Sequence, residues 1–228
     1  MPIVFKADNA ASYLNTLYVG GLTTLPSGRK IYRHPTLPGS VLMFNDGEDR
    51  SVLILDAKYR VGISDTKKIW GWYNYNVPNV NEVTMADWYI NSLAGYPNNV
   101  TDSTINVKMR DVNTSRDNTT TLVTDYPEDS IPEAALHCRS IVIGDNLTCD
   151  LPNINTLIRI FLDKQYIDEL DPTVASYPNN SLVTIWSNNY VWSSSEFGSS
   201  RAWRVSVASF VLSGSKNGPY CVVPVYQL

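Results

Sequence analysis

Short apolar runs separated by turn residues dominate the chain from residue 40 onward. The runs Val41–Phe44 and Ser51–Leu55 flank a turn sequence at Asn45–Gly47, and a third run covers Tyr59–Ile63. Apolar runs of this length, bounded by Asn, Asp and Gly, are typical of strands in antiparallel hairpins. The pattern therefore predicts an antiparallel meander in this part of the chain.

The clearest helical period follows Pro152-Asn153. Apolar residues recur there at the i, i+3, i+4, i+7 and i+8 positions, which places them on one side of a helix. The spacing predicts a helix that packs its apolar stripe into the core. These positions are Ile154, Leu157, Ile158, Phe161 and Leu162.

Capping patterns predict two further helices. Thr84, with Asp87 three residues later, predicts a helix over residues 84–96. Ser130, with Pro132 in the first turn, predicts a second helix that carries Ala134 to Cys138. Between them, residues 96–125 are rich in Asn, Thr, Asp and Ser, which predicts long surface loops.

The last third of the chain returns to short apolar runs, which predict strands separated by turns at Ser213-Gly214 and Asn217-Gly218-Pro219. By contrast, residues 1–36 contain only short apolar stretches among Gly and Pro, which predicts an irregular N-terminal arm. The predicted late strands are Leu182–Trp186, Trp203–Val207, Phe210–Leu212 and Cys221–Val225.

Composition narrows the function classes. Only 18% of residues are charged, the net charge is −4, and no stretch concentrates Lys and Arg, so nucleic acid is not predicted as a partner. Tyr, Asn, Ser and Thr must supply much of the surface polarity, and such surfaces bind through hydrogen bonds and stacking. The apolar runs are far shorter than the roughly 20 residues of a membrane helix, and the start does not resemble a signal peptide, so neither membrane insertion nor export is predicted.

The sequence offers little catalytic chemistry. Cys138, Cys149 and Cys221 are odd in number and lack CxxC spacing, which favours buried thiols over disulfides or a zinc site. His34 and His137 have no visible catalytic partner, and the common hydrolase, nucleotide-binding and zinc-protease motifs are absent from the sequence. We therefore predict neither an enzyme nor a bound cofactor or metal.

Acidic residues permit two interpretations at two places in the chain. The acids near residues 163–171 could ligate calcium, but their helical spacing favours a solvated helix face. Glu196 follows three serines and could accept hydrogen bonds from a ligand, but we favour a role in bonding backbone N–H groups of its own turn. The acids near residues 163–171 are Asp163, Asp168, Glu169 and Asp171.

Arginine and aromatic residues in the last third give further expectations. Arg201 and Arg204 are three positions apart, so on an extended segment they point to opposite faces and at most one lines a site. Trp192 and Trp203 stand among small and apolar neighbours, which favours inner-face anchors over stacking platforms. The aromatic run over residues 70–75 is likewise interpreted as core packing.

Several motifs follow one another in the last ninety or so residues. They are Ala134-Ala135-Leu136-His137-Cys138, Leu151-Pro152, Val191-Trp192-Ser193-Ser194-Ser195-Glu196, Ala202-Trp203-Arg204-Val205 and Val222-Val223-Pro224-Val225. Their order resembles one family, the C-type-lectin-like domain at the C terminus of bacterial collagen-like adhesins. The resemblance implies an α+β fold of short antiparallel strands, two or three helices and long loops over residues 37–228, with residues 1–36 as an arm. Val223 departs from the family pattern, which has Arg there, and the calcium-lectin motifs are absent.

The resemblance also suggests where a ligand would bind. Related domains form the tips of phage receptor-binding proteins, with variable residues late in the chain on a rigid strand frame. In this sequence the corresponding positions are expected to be exposed, polar or aromatic, and to bind a host-surface glycan or protein. They are Asn188, Asn189, Tyr190, Ser199, Arg201, Ser209, Ser213, Lys216, Asn217 and Tyr220.

We therefore expect a structural protein of a phage virion, a head or tail fibre or decoration subunit. By analogy with fibres it would be a homotrimer, with the arm docking on other virion proteins. The alternative is a bacterial adhesin or carbohydrate-binding lectin at the cell surface. The fold is also similar to that of formylglycine-generating enzymes, but their paired copper-binding cysteines have no clear match, since Cys221 stands alone near the end.

Overall fold

A computed structural model describes residues 23–43, 51–71, 73–80, 83–90, 105–111, 113–125, 131–207 and 210–228. Antiparallel strand pairs and separate helices make it an α+β protein. The helices are α1 (Ser115–Thr124), α2 (Glu133–Ser140), α3 (Ile154–Leu170) and α4 (Leu182–Asn188). The strands are β1 (Thr23–Thr24), β2 (Lys30–Arg33), β3 (Gly39–Met43), β4 (Ser51–Leu55), β5 (Val83–Ile90), β6 (Ile105–Asp111), β7 (Val142–Ile143), β8 (Leu147–Thr148), β9 (Val191–Gly198), β10 (Arg201–Ser206), β11 (Phe210–Ser215) and β12 (Val225–Gln227).

The largest sheet has five strands in the order β1-β2-β3-β4-β12. The hairpin of β3 and β4 confirms the first two strands of the predicted meander, with Val41 opposite Leu53. The predicted third strand, Tyr59–Ile63, is wrong: the chain forms a 3₁₀ turn over Ala57–Tyr59 and only an isolated bridge at Val61. The edge of β4 is instead paired with β12 from the far end of the chain.

The predicted N-terminal arm needs correction for residues 23–36. β1 and β2 pair with each other, and β2 pairs with β3 along its whole length, so this segment is part of the main sheet. Leu25 and Ile31 are buried in the same core as α3. The remainder of the predicted arm, residues 1–22, lies outside the described residues.

Both faces of the main sheet are covered. On one face Leu42 and Ile54 pack against α3, and on the other Val41 and Leu53 pack beside Ile141. A sheet buried on both sides needs continuous apolar strands instead of alternating ones. This explains why β3 and β4 appear in the sequence as unbroken apolar runs.

Helix α3 is the central element and confirms the strongest periodic prediction. It begins after Asn153, whose side-chain oxygen accepts a hydrogen bond from the Thr156 N–H at 2.9 Å. This satisfies one of the N–H groups that a helix start leaves free. All five predicted stripe residues are buried, and Phe161 meets Trp186 of α4 edge-on at 5.3 Å.

A three-stranded sheet, in the order β11-β10-β9, lies against α3 through Trp203 and Val205. Trp192 and Trp203 are both buried, which confirms them as inner-face anchors. The turn predicted at Ser213-Gly214 is wrong, because these residues lie inside β11, opposite Trp203 and Ala202. The late strands β10 and β11 are otherwise close to their predicted positions.

Two predictions in the middle of the chain are wrong. Val83–Ile90 is a strand that pairs with β6, so the capping pattern at Thr84 does not start a helix there. The polar segment predicted as loops contains both β6 and α1. Thr114 and Asp117 form a reciprocal capping box at the start of α1, with hydrogen bonds of 3.0 and 3.1 Å.

Helices α2 and α4 give one confirmation and one correction. Helix α2 is present as predicted but begins at Glu133, so Pro132 is its N-cap residue and Ser130 lies outside the described residues. The predicted strand Leu182–Trp186 is instead helix α4, capped by Ser181. None of the helices in the described parts of the chain has the length and apolar character needed to cross a bilayer.

Candidate functional site

The three serines before Glu196 are internal to the fold. All lie in β9 and are buried, so the polar turn predicted around Glu196 is a core strand instead. The Ser193 hydroxyl donates to the Trp203 carbonyl oxygen at 2.8 Å, and the Ser195 hydroxyl donates to Asp111 while accepting from the Ile154 N–H at 2.8 Å. These hydrogen bonds tie β9 to β10, β6 and the start of α3.

Glu196 and Lys216 form a buried ion pair. Both side chains are fully buried, so the expectation that Lys216 is exposed is wrong. The Lys216 ammonium donates to Glu196 and, at 2.5 Å, to the Tyr75 carbonyl oxygen, and it lies 4.8 Å from the Trp70 ring centre.

The electrostatics of this pair are dominated by burial. Burial raises the pKa of Glu196 and lowers the pKa of Lys216, and the hydrogen bond between them opposes both changes. Glu196 also accepts from the Val77 N–H at 3.0 Å, so it does bond a backbone N–H group, but one from a distant segment and not from the turn that was predicted around it. The pair fixes β9 to the segments around it and is closed to ligands.

The most prominent aromatic feature beside β9 is formed by Tyr190, Arg204 and Tyr220, which we call the tyrosine–arginine cluster. The Arg204 guanidinium carbon lies 3.7 Å from the Tyr190 ring centre and 4.4 Å from the Tyr220 ring centre. The two rings meet edge-on, 5.3 Å apart at 71°, and Tyr220 also contacts Trp192 at 4.7 Å. All three members of the cluster remain partly exposed.

Two glycines make room for this arrangement. A Cβ atom at Gly214 would lie 2.6 Å from Arg204 Nε, and a Cβ atom at Gly218 would lie 2.8 Å from the Tyr220 ring. Both distances are too short for a side chain. The guanidinium can therefore lie flat across the β11 backbone, and Tyr220 can fold back over the turn.

The Arg204 guanidinium is left with unused hydrogen-bonding capacity. Its Nε and Nη1 atoms are buried without a hydrogen-bond partner. Ring contacts of this kind stabilise a cation by about 0.5–2 kcal/mol. Each buried donor left unpaired costs about 1–3 kcal/mol, which is comparable to what such ring contacts supply.

The structure brings together only some of the residues predicted to bind ligand. Tyr190 and Tyr220 belong to the cluster, and Asn189 beside them accepts a hydrogen bond from the Lys67 ammonium at 2.6 Å. The exposed Arg201 instead lies 3.4 Å from the Ser213 hydroxyl, in a contact separate from the cluster.

The other predicted ligand-binding positions make local contacts. The Ser199 carbonyl oxygen accepts from the Tyr75 N–H at 3.0 Å, and the exposed Asn217 accepts from the Ser215 hydroxyl. The Asn188 side chain and Ser209 lie outside the described residues.

Arg204 is the site residue that the sequence prediction missed. The spacing of Arg201 and Arg204 indicates that only one of them joins a given site, and the contacts agree, since the two arginines have separate partners. What selects Arg204 is its position in the middle strand, opposite Trp192 on one side and Leu212 on the other. The signal in the sequence that could have pointed to Arg204 was the arginine of the Ala-Trp-Arg-Val motif.

Three of the four acids near residues 163–171 do not form the predicted solvated face. Asp163 is buried and accepts from Arg29 at 2.6 Å, while Asp168 and Asp171 pair with Arg60 at 2.9 and 3.0 Å. These three carboxylates hold α3 to its neighbours, whereas Glu169 is exposed on the helix surface, as predicted. Within the described residues, no three His, Cys, Asp or Glu side chains are grouped as metal ligands.

The histidines have structural partners. His137 donates from Nε2 to the Tyr59 carbonyl oxygen at 3.1 Å, and His34 accepts from the Leu37 N–H at 2.8 Å. Burial lowers the pKa of both. Each imidazole is therefore held neutral near neutral pH and is already engaged by the backbone.

The cysteines confirm the prediction of buried thiols, since all three are buried and free of disulfides. Burial raises the pKa of Cys221 to about 11 and that of Cys149 to about 12. The thiolate is the metal ligand and the nucleophile, so a thiol with a raised pKa is suited to neither role.

No protein-family model matches the chain, and no curated protein sequence is significantly similar to it. Any functional assignment therefore depends on the residues themselves and on their geometry.

Proposed function

We propose that this chain is a structural protein of a phage virion, a head or tail fibre or decoration subunit, that displays a C-type-lectin-like domain for binding a surface or receptor. The observation that carries the binding role is the tyrosine–arginine cluster. It presents two partly exposed aromatic rings and a guanidinium with unpaired N–H groups, held on a strand of the β9–β11 sheet. Such amphipathic rings beside an arginine are typical of recognition surfaces.

Internal bonding of the reactive side chains supports a binding role over catalysis. Glu196 is neutralised by Lys216, and the pKa of the buried Cys221 thiol is raised. General acids, bases and nucleophiles need access to substrate and a pKa near the working pH. The cluster offers polar and aromatic contacts without such groups.

The order of elements supports the lectin-like part of the proposal. Leu151-Pro152 leads into α3, the Trp-Ser-Ser-Ser-Glu motif forms β9, and the Ala-Trp-Arg-Val motif forms β10. The final Val222–Val225 motif reaches the main sheet through bridges and β12. Each motif that carries the resemblance thus belongs to the folded core.

Replacing Tyr190 with alanine should weaken binding of the chain to its target surface roughly tenfold, because the variant loses an aromatic contact and frees one side of Arg204. Binding can be measured on an array of bacterial surface glycans and on intact bacterial cells. Tyr177→Ala is the matched control, since Tyr177 is 45% exposed and outside the cluster. Equal loss in both variants would contradict a binding role for the cluster.

The assembly part of the proposal predicts a trimer in solution. Light scattering of the full chain should give three times the 25.5 kDa of one chain. A truncation of residues 1–22 leaves β1 and β2 in place and should lower the mass to that of one chain if the arm drives assembly. A monomer in both forms would favour a freestanding lectin instead.

A further inference from the structure

The flat faces of the Arg204 guanidinium and its in-plane N–H groups have different surroundings. Tyr190 and Tyr220 cover it from two directions, and the Gly214 backbone lies beneath it. Contacts of this kind occupy the π surface of the cation and leave its N–H groups, which point outward in the guanidinium plane, to be satisfied by acceptors.

Those acceptors are missing from the described parts of the chain. Nε and Nη1 are buried and unpaired, and no described carboxylate forms an ion pair with Arg204. Nη2 is not among these buried unpaired atoms, and Arg204 as a whole is partly exposed. Each N–H fork, Nε with Nη2 and Nη1 with Nη2, thus contains one buried nitrogen without a partner among the described residues.

The described charges near the cluster are of both signs. The Lys67 ammonium bonds Asn189, the residue before Tyr190. Lys67 and Asp65 both act on the Cys221 thiol, next to Tyr220 in the chain, and with opposite effects. An anionic group arriving at Arg204 is therefore attracted chiefly by the guanidinium itself, which has no ion-pair partner among the described carboxylates.

We propose that the tyrosine–arginine cluster is a subsite for the carboxylate of an acidic sugar. A carboxylate is planar and accepts two parallel N–H bonds from one guanidinium fork, and each fork of Arg204 contains a buried, unpaired nitrogen that such a ligand uncovers and pairs as it binds. The two tyrosine rings beside the fork then pack against the C–H face of the sugar ring that carries the carboxylate. This inference rests on the proposed binding function and names the ligand class of the same surface.

The ligand side of the test uses matched oligosaccharides. Titration calorimetry of the full chain at low ionic strength should detect binding of an oligogalacturonate or an oligoglucuronate. The same oligosaccharides with their carboxyl groups methyl-esterified should bind at least about tenfold more weakly, because the ester has neither the charge nor the second acceptor oxygen. This comparison needs no protein variant and so does not depend on how a substitution folds.

The second part of the test replaces Arg204 and so removes its guanidinium. Arg204→Gln should weaken uronate binding at least about tenfold. Arg204→Lys should weaken it less, because lysine keeps the positive charge but lacks the planar fork. Lys58→Gln is the control, an exposed cation in the 3₁₀ turn and outside the predicted ligand-binding positions, and should stay within about twofold of the parent chain. Circular dichroism and the urea midpoint show whether each variant is folded.

The outcomes separate this inference from the proposed function. Uronates that bind no better than their esters, or equally well to folded Arg204→Gln, overturn the carboxylate subsite, as does stronger binding of poly-L-glutamate or inorganic phosphate. If Tyr190-dependent binding to surface glycans persists in those cases, the binding function stands alone. If the chain binds neither cells nor any array glycan, both fail.

Discussion

Replacing Lys216 with methionine should lower the free energy of unfolding by about 3–5 kcal/mol, because it leaves the Glu196 carboxylate buried without its cation. Both side chains are completely inaccessible, and Lys216 also bonds the Tyr75 carbonyl oxygen. Urea denaturation measures the change. Lys58→Met, at an exposed lysine, is the control and should remain within about 0.5 kcal/mol of the parent.

The loss in Lys216→Met should also depend on pH. Burial already raises the pKa of Glu196, and Lys216 opposes that rise, so the pKa should rise further in the variant. A carboxyl group whose pKa is raised on folding stabilises the folded state most below its ordinary pKa, and that stability is lost as pH rises through the folded-state pKa. The destabilisation should therefore be larger at about pH 8 than at about pH 5.

A second variant tests the cause of this pH dependence. The double variant Glu196→Gln/Lys216→Met has no ionisable group at the site, so its stability relative to the parent should change less between the two pH values than that of Lys216→Met. A Lys216→Met protein with an unchanged urea midpoint at both pH values would show that the pair does not stabilise the fold.

Local patterns in the sequence predict the helices and strands in which buried positions recur at a regular spacing. The stripe from Ile154 to Leu162 defines α3, and the apolar runs of β3 and β4 define the hairpin, because in each case the period directly reflects one buried surface. Burial of Trp192 and Trp203 follows from the same rule, since large aromatic side chains surrounded by apolar neighbours face the core.

Long-range contacts decide the elements that the sequence mispredicts. The run Leu182–Trp186 has the β-branched and aromatic character of a strand, yet it forms α4, because Ser181 caps it and Asp168 accepts from the Leu182 and Val183 N–H groups at 2.9 Å. Conversely, β5 carries a local helix-start pattern but pairs with β6, which follows it only after residue 104. Neither partner is visible in a short window of sequence.

In the candidate site, too, local sequence predicts some features and long-range contacts decide the others. Alternation along a strand correctly separates Arg201 from Arg204, but it does not say which one meets the tyrosines. That choice depends on Gly214 and Gly218, whose missing side chains leave the space that Arg204 and Tyr220 occupy. The sequence predicts Lys216 as exposed because its partner Glu196 lies twenty positions away, in strand β9.

Replacing Arg60 with methionine should likewise lower the free energy of unfolding by about 3–5 kcal/mol, because it leaves two buried or nearly buried carboxylates without their cation. The Arg60 side chain is 1% exposed and donates to the Leu55 carbonyl oxygen, Asp168 and Asp171 at 2.9, 2.9 and 3.0 Å. Arg60→Lys keeps the charge but cannot reach all three acceptors, so about 1–3 kcal/mol should still be lost. Urea denaturation compares both with Arg201→Met, an exposed arginine.

Hydrogen exchange can locate the damage in Arg60→Met, because both carboxylates also organise backbone. Asp168 accepts from the first two N–H groups of α4, and Asp171 accepts from the Ala57 N–H at 2.6 Å. Once Arg60 is gone, burial favours protonation of Asp168, whose pKa it already raises, and a neutral carboxyl group is a weaker acceptor. Asp171 loses the guanidinium that holds its carboxylate in place beneath the Ala57 N–H. Protection should therefore fall first at Ala57, Leu182 and Val183, whereas uniform loss across α3 and the main sheet would mean that Arg60 acts only on global stability.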